Sequence, residues 1–65
     1  MKRIPSQPHL MALRLIASGP NGLVWRTELP VTVLADLVRY DWATRLDMGS
    51  VAITPSGIAA LDAAQ

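Results

Sequence analysis

The stretch Tyr40-Asp41-Trp42-Ala43-Thr44-Arg45-Leu46-Asp47-Met48-Gly49-Ser50-Val51-Ala52-Ile53-Thr54-Pro55 decides the fold. Asp41 closes a helical pattern and tolerates left-handed backbone better than most residues other than Gly and Asn, so the helix ends there. From Trp42 to Leu46 the side chains alternate, Trp42, Thr44 and Leu46 on one side and Ala43 and Arg45 on the other, with Trp42 pointing inward. Asp47-Met48-Gly49-Ser50 reads as a four-residue hairpin loop, after which Val51 and Ile53 return on the inward side. Thr54 offers a hydroxyl N-cap and Pro55 a preset first helical position. In the helix that follows, Ile58 and Leu61 form the buried pair and the Ala-rich end packs closely or frays.

Working back toward the N-terminus, Pro30 starts a helix whose apolar positions are Val31, Leu34, Leu37 and Val38, with Val33 and Tyr40 at the margins. Thr32, Ala35, Asp36 and Arg39 form an outward stripe on its opposite face. Leu23 to Thr27 is rich in β-branched and aromatic residues and reads as extended. Gly19-Pro20-Asn21-Gly22 stops an earlier helix and turns the chain. That helix begins at a Ser6 cap with Pro8 tolerated in its first turn. It buries Leu10, Leu13, Ile16 and Ala17, and Met11 and Leu15 widen the stripe.

The expectation is one α+β domain over residues 1–65, with a helix over 6–18, an extended segment over 23–27 and a helix over 30–40. A β-hairpin of 42–46 and 51–54 and a short helix over 55–63 complete it.

Composition removes several classes of function. The 65 residues include no cysteine and a single histidine, so disulfide scaffolds, thiolate metal sites and cysteine nucleophiles are excluded. His9 alone supplies too few parts for a histidine metal cluster or a Ser-His-Asp relay, and it reads as a solvent-facing first-turn residue. Lys2 and Arg3 ahead of an apolar run imitate a leader peptide, but Arg14 interrupts that run and its removal would leave too little chain to fold. No stretch approaches the roughly 18 apolar residues of a membrane span. The expected compartment is the cytoplasm of a cell or of an infected host. No cofactor is implied, and a chain this short can hardly enclose an enzyme pocket of about 300 Å³. With burial only just offsetting chain entropy at this length, a partner, a second copy or a nucleic acid is an expected source of stability.

The second half resembles the small bacterial and phage winged-helix proteins. Those commonly close the wing with Leu-Thr-Pro-x-Gly and an Ala/Leu helix; here the chain reads Ile53-Thr54-Pro55-Ser56-Gly57-Ile58-Ala59-Ala60-Leu61. Leu37 and Val38 followed by Tyr40-Asp41-Trp42 is similar to the family's end of its recognition helix, where Gly-Leu is commoner than Asp-Trp. The likeness covers roughly Pro30 to Leu61. It implies that helix 30–40 is a recognition helix, that residues 47–50 tip a wing, and that the protein binds double-stranded DNA as a regulator, acting as a homodimer. The family usually has a further helix where residues 19–29 are short and rich in Gly and Pro.

On that reading Thr32, Asp36 and Arg39 enter a major groove, Arg39 on guanine and Asp36 on cytosine. Otherwise the stripe is a solvated face with an Asp36–Arg39 pair. Lys2, Arg3 and Arg45 are candidate phosphate contacts, but only six cations stand in the chain and net charge is +1. Trp42 reads as core. Trp25 either packs under the first helix, the commoner fate of tryptophan, or sits with Arg26 at a binding surface. Met48 at the hairpin tip suits a protein partner better than phosphate. The alternative function is therefore a phage or mobile-element module on the same fold that docks on a host protein, with Trp25 and Met48 at the contact.

Overall fold

A computed structural model of the chain describes residues 4–64. Three α-helices, α1 (Gln7–Ser18), α2 (Val31–Arg39) and α3 (Pro55–Ala63), pack with a sheet of β1 (Leu23–Trp25), β2 (Ala43–Arg45) and β3 (Ser50–Ile53). The sheet is antiparallel throughout, and β3 lies in the middle, between β1 and β2. Residues 19–29 hold no α-helix: short 3-10 turns at Pro20–Gly22 and Arg26–Glu28 bracket β1, which stops at Trp25, two residues before the expected end.

The end of α2 explains how Trp42 enters the core. Asp41 adopts φ 63°, its N–H donates to the Val38 carbonyl at 3.1 Å, and the Trp42 N–H donates to the Leu37 carbonyl at 2.9 Å. This paired closure caps the last carbonyls of the helix and throws the following side chain back across it. Leu37 and Trp42 are both buried. The Trp42 carbonyl then accepts the Thr54 N–H at 3.0 Å, and the Thr54 hydroxyl donates to the Asp41 carbonyl while accepting the Gly57 N–H at 3.0 Å. Helix end, strand start and helix start are thus sewn together by one threonine. Gly57 backs onto this junction so closely that a Cβ there would stand 2.0 Å from the Trp42 oxygen.

The hairpin alternation is reversed relative to the sequence expectation. Trp42 is spent in the helix closure, ahead of β2, so the strand begins with Ala43 inward. Ala43 faces Ile53 and Arg45 faces Val51 across the ladder. The core face of the sheet therefore carries Val24, Val51, Ala43 and Ile53, with Arg45 at its exposed end. Thr44 and Leu46 turn outward and are exposed. The loop is also tighter than expected. The Leu46 N–H donates to the Ser50 carbonyl at 2.8 Å, leaving Asp47–Gly49 as the turn, with Met48 at φ 67° and Gly49 at φ 83°.

The core joins Leu10, Ala12, Leu13 and Ile16 of α1 to Leu34 and Leu37 of α2, Trp42, Val51, Leu61 and Leu29 of the linker. Several expected core positions lie outside. Ala17 is exposed and Ala12 takes its place, because the buried face of α1 is centred further round the helix; Met11 and Leu15 are exposed with it. Val31, 82% exposed, and Val38 yield to Val33 and Tyr40, which pack against the core. In α3 the buried residues are Gly57 and Leu61, and Ile58 faces out, because the close approach at Gly57 fixes the helix's rotation.

Candidate nucleic-acid interface

The outward face of α2 is set by its two buried leucines. Thr32 and Arg39, about two turns apart, stack on one stripe and are exposed, with Val31 and Val38 on one flank. Asp36 lies on the other flank, half-buried. Its Oδ2 lies 3.0 Å from Nε2 of His9 in the first turn of α1. Among the described residues Asp36 pairs with His9 and not with Arg39: its carboxylate is drawn sideways to the histidine, with the side chain still 37% exposed.

His9 is likewise not solvent-facing. Its side chain is only 14% exposed, with the ring edge-on to Tyr40 and Trp42 at centroid distances of 6.4 and 5.7 Å. Nδ1 accepts the Ser6 backbone N–H at 3.2 Å and meets Ser6 Oγ at 2.8 Å. A ring nitrogen that accepts an N–H carries its lone pair, so Nε2 carries the proton and donates to Asp36. Ser6, His9 and Asp36 thus form a hydrogen-bonded line. Its chemistry is that of a helix cap extended to a neighbouring helix: the Ser6 main chain is bound to the same nitrogen as its hydroxyl, and aromatic rings cover the imidazole. The i, i+3 spacing of Ser6 and His9 is a sequence signal for that cap, while nothing local points to Asp36.

At the hairpin, Arg45 is exposed at the end of β2. A half-open hollow of about 480 Å³ there is lined by Arg45 with Trp25, Arg26, Leu46, Met48 and Ser50 among others; Thr32 and Arg39 do not line it. The stem of Arg26 runs beside Gly49, where an added Cβ would stand 3.7 Å from Nε. Trp25 is 56% exposed and Met48 89%, so the core placement of Trp25 is overturned: β1 pairs Trp25 with Ser50 on the outer sheet face. Lys2 and Arg3 lie outside the described residues. Among the described residues no cluster of three His, Cys, Asp or Glu side chains is arranged to hold a metal ion. No helix among them is long and apolar enough to cross a membrane.

Set against protein-family models, curated proteins and solved structures, the chain finds no match. The class of protein is therefore stated by architecture: a small α+β domain of three helices and a three-stranded antiparallel sheet.

Proposed function

We propose that this domain is a winged-helix-type DNA-binding module in which α2 enters the major groove and the turn at Asp47–Gly49 is the wing. The order of elements supports the reading, as does the sheet, in which the hairpin's second strand pairs with the strand that follows the first helix. The observation that carries it is the pairing of Asp36 with His9, which leaves Arg39, the last residue of α2, as the cation of an exposed stripe that begins at Thr32 about two turns away. Arg39 then reads guanine in the groove and Arg45 holds phosphate from the hairpin. Specific binders often neutralise about 6–10 phosphates. A chain with six cations reaches that number as a symmetric dimer on a palindromic site.

Amide-shift titration with duplex DNA at about 50 and 200 mM salt tests this. Shifts at Thr32, Arg39 and Arg45 that shrink steeply with salt are the expected result; silence at all three would overturn it.

A second reading, protein docking on the same fold, is favoured by the exposure of Trp25 and Met48 in one place. Large exposed apolar side chains gathered at one site mark contact surfaces more often than scattered ones do.

A further inference from the structure

The hollow at the hairpin end of the sheet has a chemistry of its own. Trp25 faces Ser50 across the β1–β3 ladder, and Leu46 bonds to Ser50 from the other side, so these residues form one cross-strand row on the outer sheet face. Trp25, Leu46 and Met48 are 56%, 43% and 89% exposed. Arg45, at the exposed end of β2 where the sheet face runs out, and Arg26 also line the hollow, Arg26 reaching from the turn after β1 to the hairpin at Gly49. Among the described residues no carboxylate lines the hollow: Glu28 and Asp47 are exposed near it in sequence but take no part in its wall. In a chain of net charge +1, two arginines border a hollow that also holds three exposed apolar side chains.

We propose that this hollow docks an acidic–apolar segment of a partner protein. An aromatic or branched aliphatic side chain enters between Trp25 and Met48, and flanking Asp or Glu carboxylates meet Arg26 and Arg45. Arginine pairs with carboxylate in a planar, two-pronged geometry, and Trp with Arg is the combination that dominates binding energy at protein interfaces. Methionine adapts to varied apolar shapes. A single-stranded nucleic acid is the less fitting occupant. It needs a run of aromatic platforms along a cationic track, and the hollow offers one indole beside two aliphatic side chains. The proposal rests on the protein-docking reading and not on the contact of α2 with DNA.

Selection of a phage-displayed random peptide library on the intact chain tests it. One enriched peptide is then titrated while the amides of Trp25, Leu46 and Met48 are followed. Expected are sequences that place Asp or Glu beside Leu, Phe or Trp, with shifts at those amides. The charge reversals Arg26→Glu and Arg45→Glu, at exposed positions, are expected to weaken binding on the order of tenfold each with thermal unfolding unchanged. Neutral apolar peptides that shift the same amides would overturn the acidic chemistry while leaving the docking reading in place. Absence of enrichment would overturn both. An oligothymidylate that displaces the peptide from these amides with steep salt dependence would assign the hollow to single-stranded nucleic acid and overturn the proposal.

Discussion

His9 Nε2 and Asp36 Oδ2 stand 3.0 Å apart, joining the first turn of α1 to the middle of α2 across 27 positions of sequence. The contact ties the N-terminal helix to α2 and draws the Asp36 carboxylate toward α1. His9→Ala and Asp36→Ala should each lower stability by about 1 kcal/mol, the ordinary net worth of a partly exposed hydrogen bond. Urea unfolding of the two single variants and the double variant checks it. Additive losses would show that the pair is not coupled.

Gly57 should be far less replaceable than Gly22. Its Cβ position lies 2.0 Å from the Trp42 oxygen and 2.9 Å from the Trp42 carbonyl carbon, both main-chain atoms held by the Thr54 bond. Gly57→Ala is expected to cost about 2–4 kcal/mol, because backbone must shift to admit the methyl group. Gly22, at φ 70° with open space around it, should cost only about 1–2 kcal/mol on the same substitution, the penalty of left-handed backbone alone. Denaturant midpoints of the two variants give the comparison.

Met48 holds φ 67° and is 89% exposed, so its side chain stabilises little in the free chain while its backbone is strained. Met48→Asn should raise the stability of the free chain by about 0.5–1 kcal/mol, since asparagine enters the left-handed region more readily. Thermal unfolding measures the change, and a lowered midpoint would contradict it.

The two tryptophans should separate cleanly in solution. Trp42 is 6% exposed, with its ring tilted at 58° against Tyr40 at a centroid distance of 5.2 Å, whereas Trp25 is 56% exposed. Iodide should quench emission strongly in the native chain and weakly in the Trp25→Phe variant. Equal quenching in both would place Trp25 in the core after all.

Arg39 should carry both charge and base contact. Arg39→Ala is expected to weaken a preferred duplex by about 1–3 kcal/mol. It should also lower the salt slope of binding by no more than about 0.9, since one phosphate-facing cation contributes that much at most. Thr32→Ala should reduce preference among sequences with the salt slope unchanged. Fluorescence anisotropy at several salt concentrations separates the two effects.

What was readable in the chain was local. Ser6, Asp41, Thr54 and Pro55 act within a few residues of themselves, through caps and left-handed closure, so the α-helices and the hairpin fall within a residue or two of the bounds their patterns imply. The glycine- and proline-rich stretch between Gly19 and Leu29 leaves open in sequence whether a middle helix forms there, and the structure places only 3-10 turns and β1 in it. The rotation of each element was not legible. Helix α3 turns Ile58 outward because Gly57 must meet the Trp42 carbonyl, and β2 reverses its faces because Trp42 is consumed by the helix closure before the strand begins.

The amino-acid order by itself determined where backbone bends, caps and alternates, since those preferences are decided by each residue's own torsions and nearest hydrogen bonds. The tertiary structure alone decided which faces are wet and which charges are free. It drew Asp36 onto His9, left Trp25 in solvent and gathered Arg26, Arg45 and Met48 around it. Those outcomes depend on packing between elements distant in sequence, where a small rotation exchanges a buried side chain for an exposed one and local pattern carries no record of the neighbour.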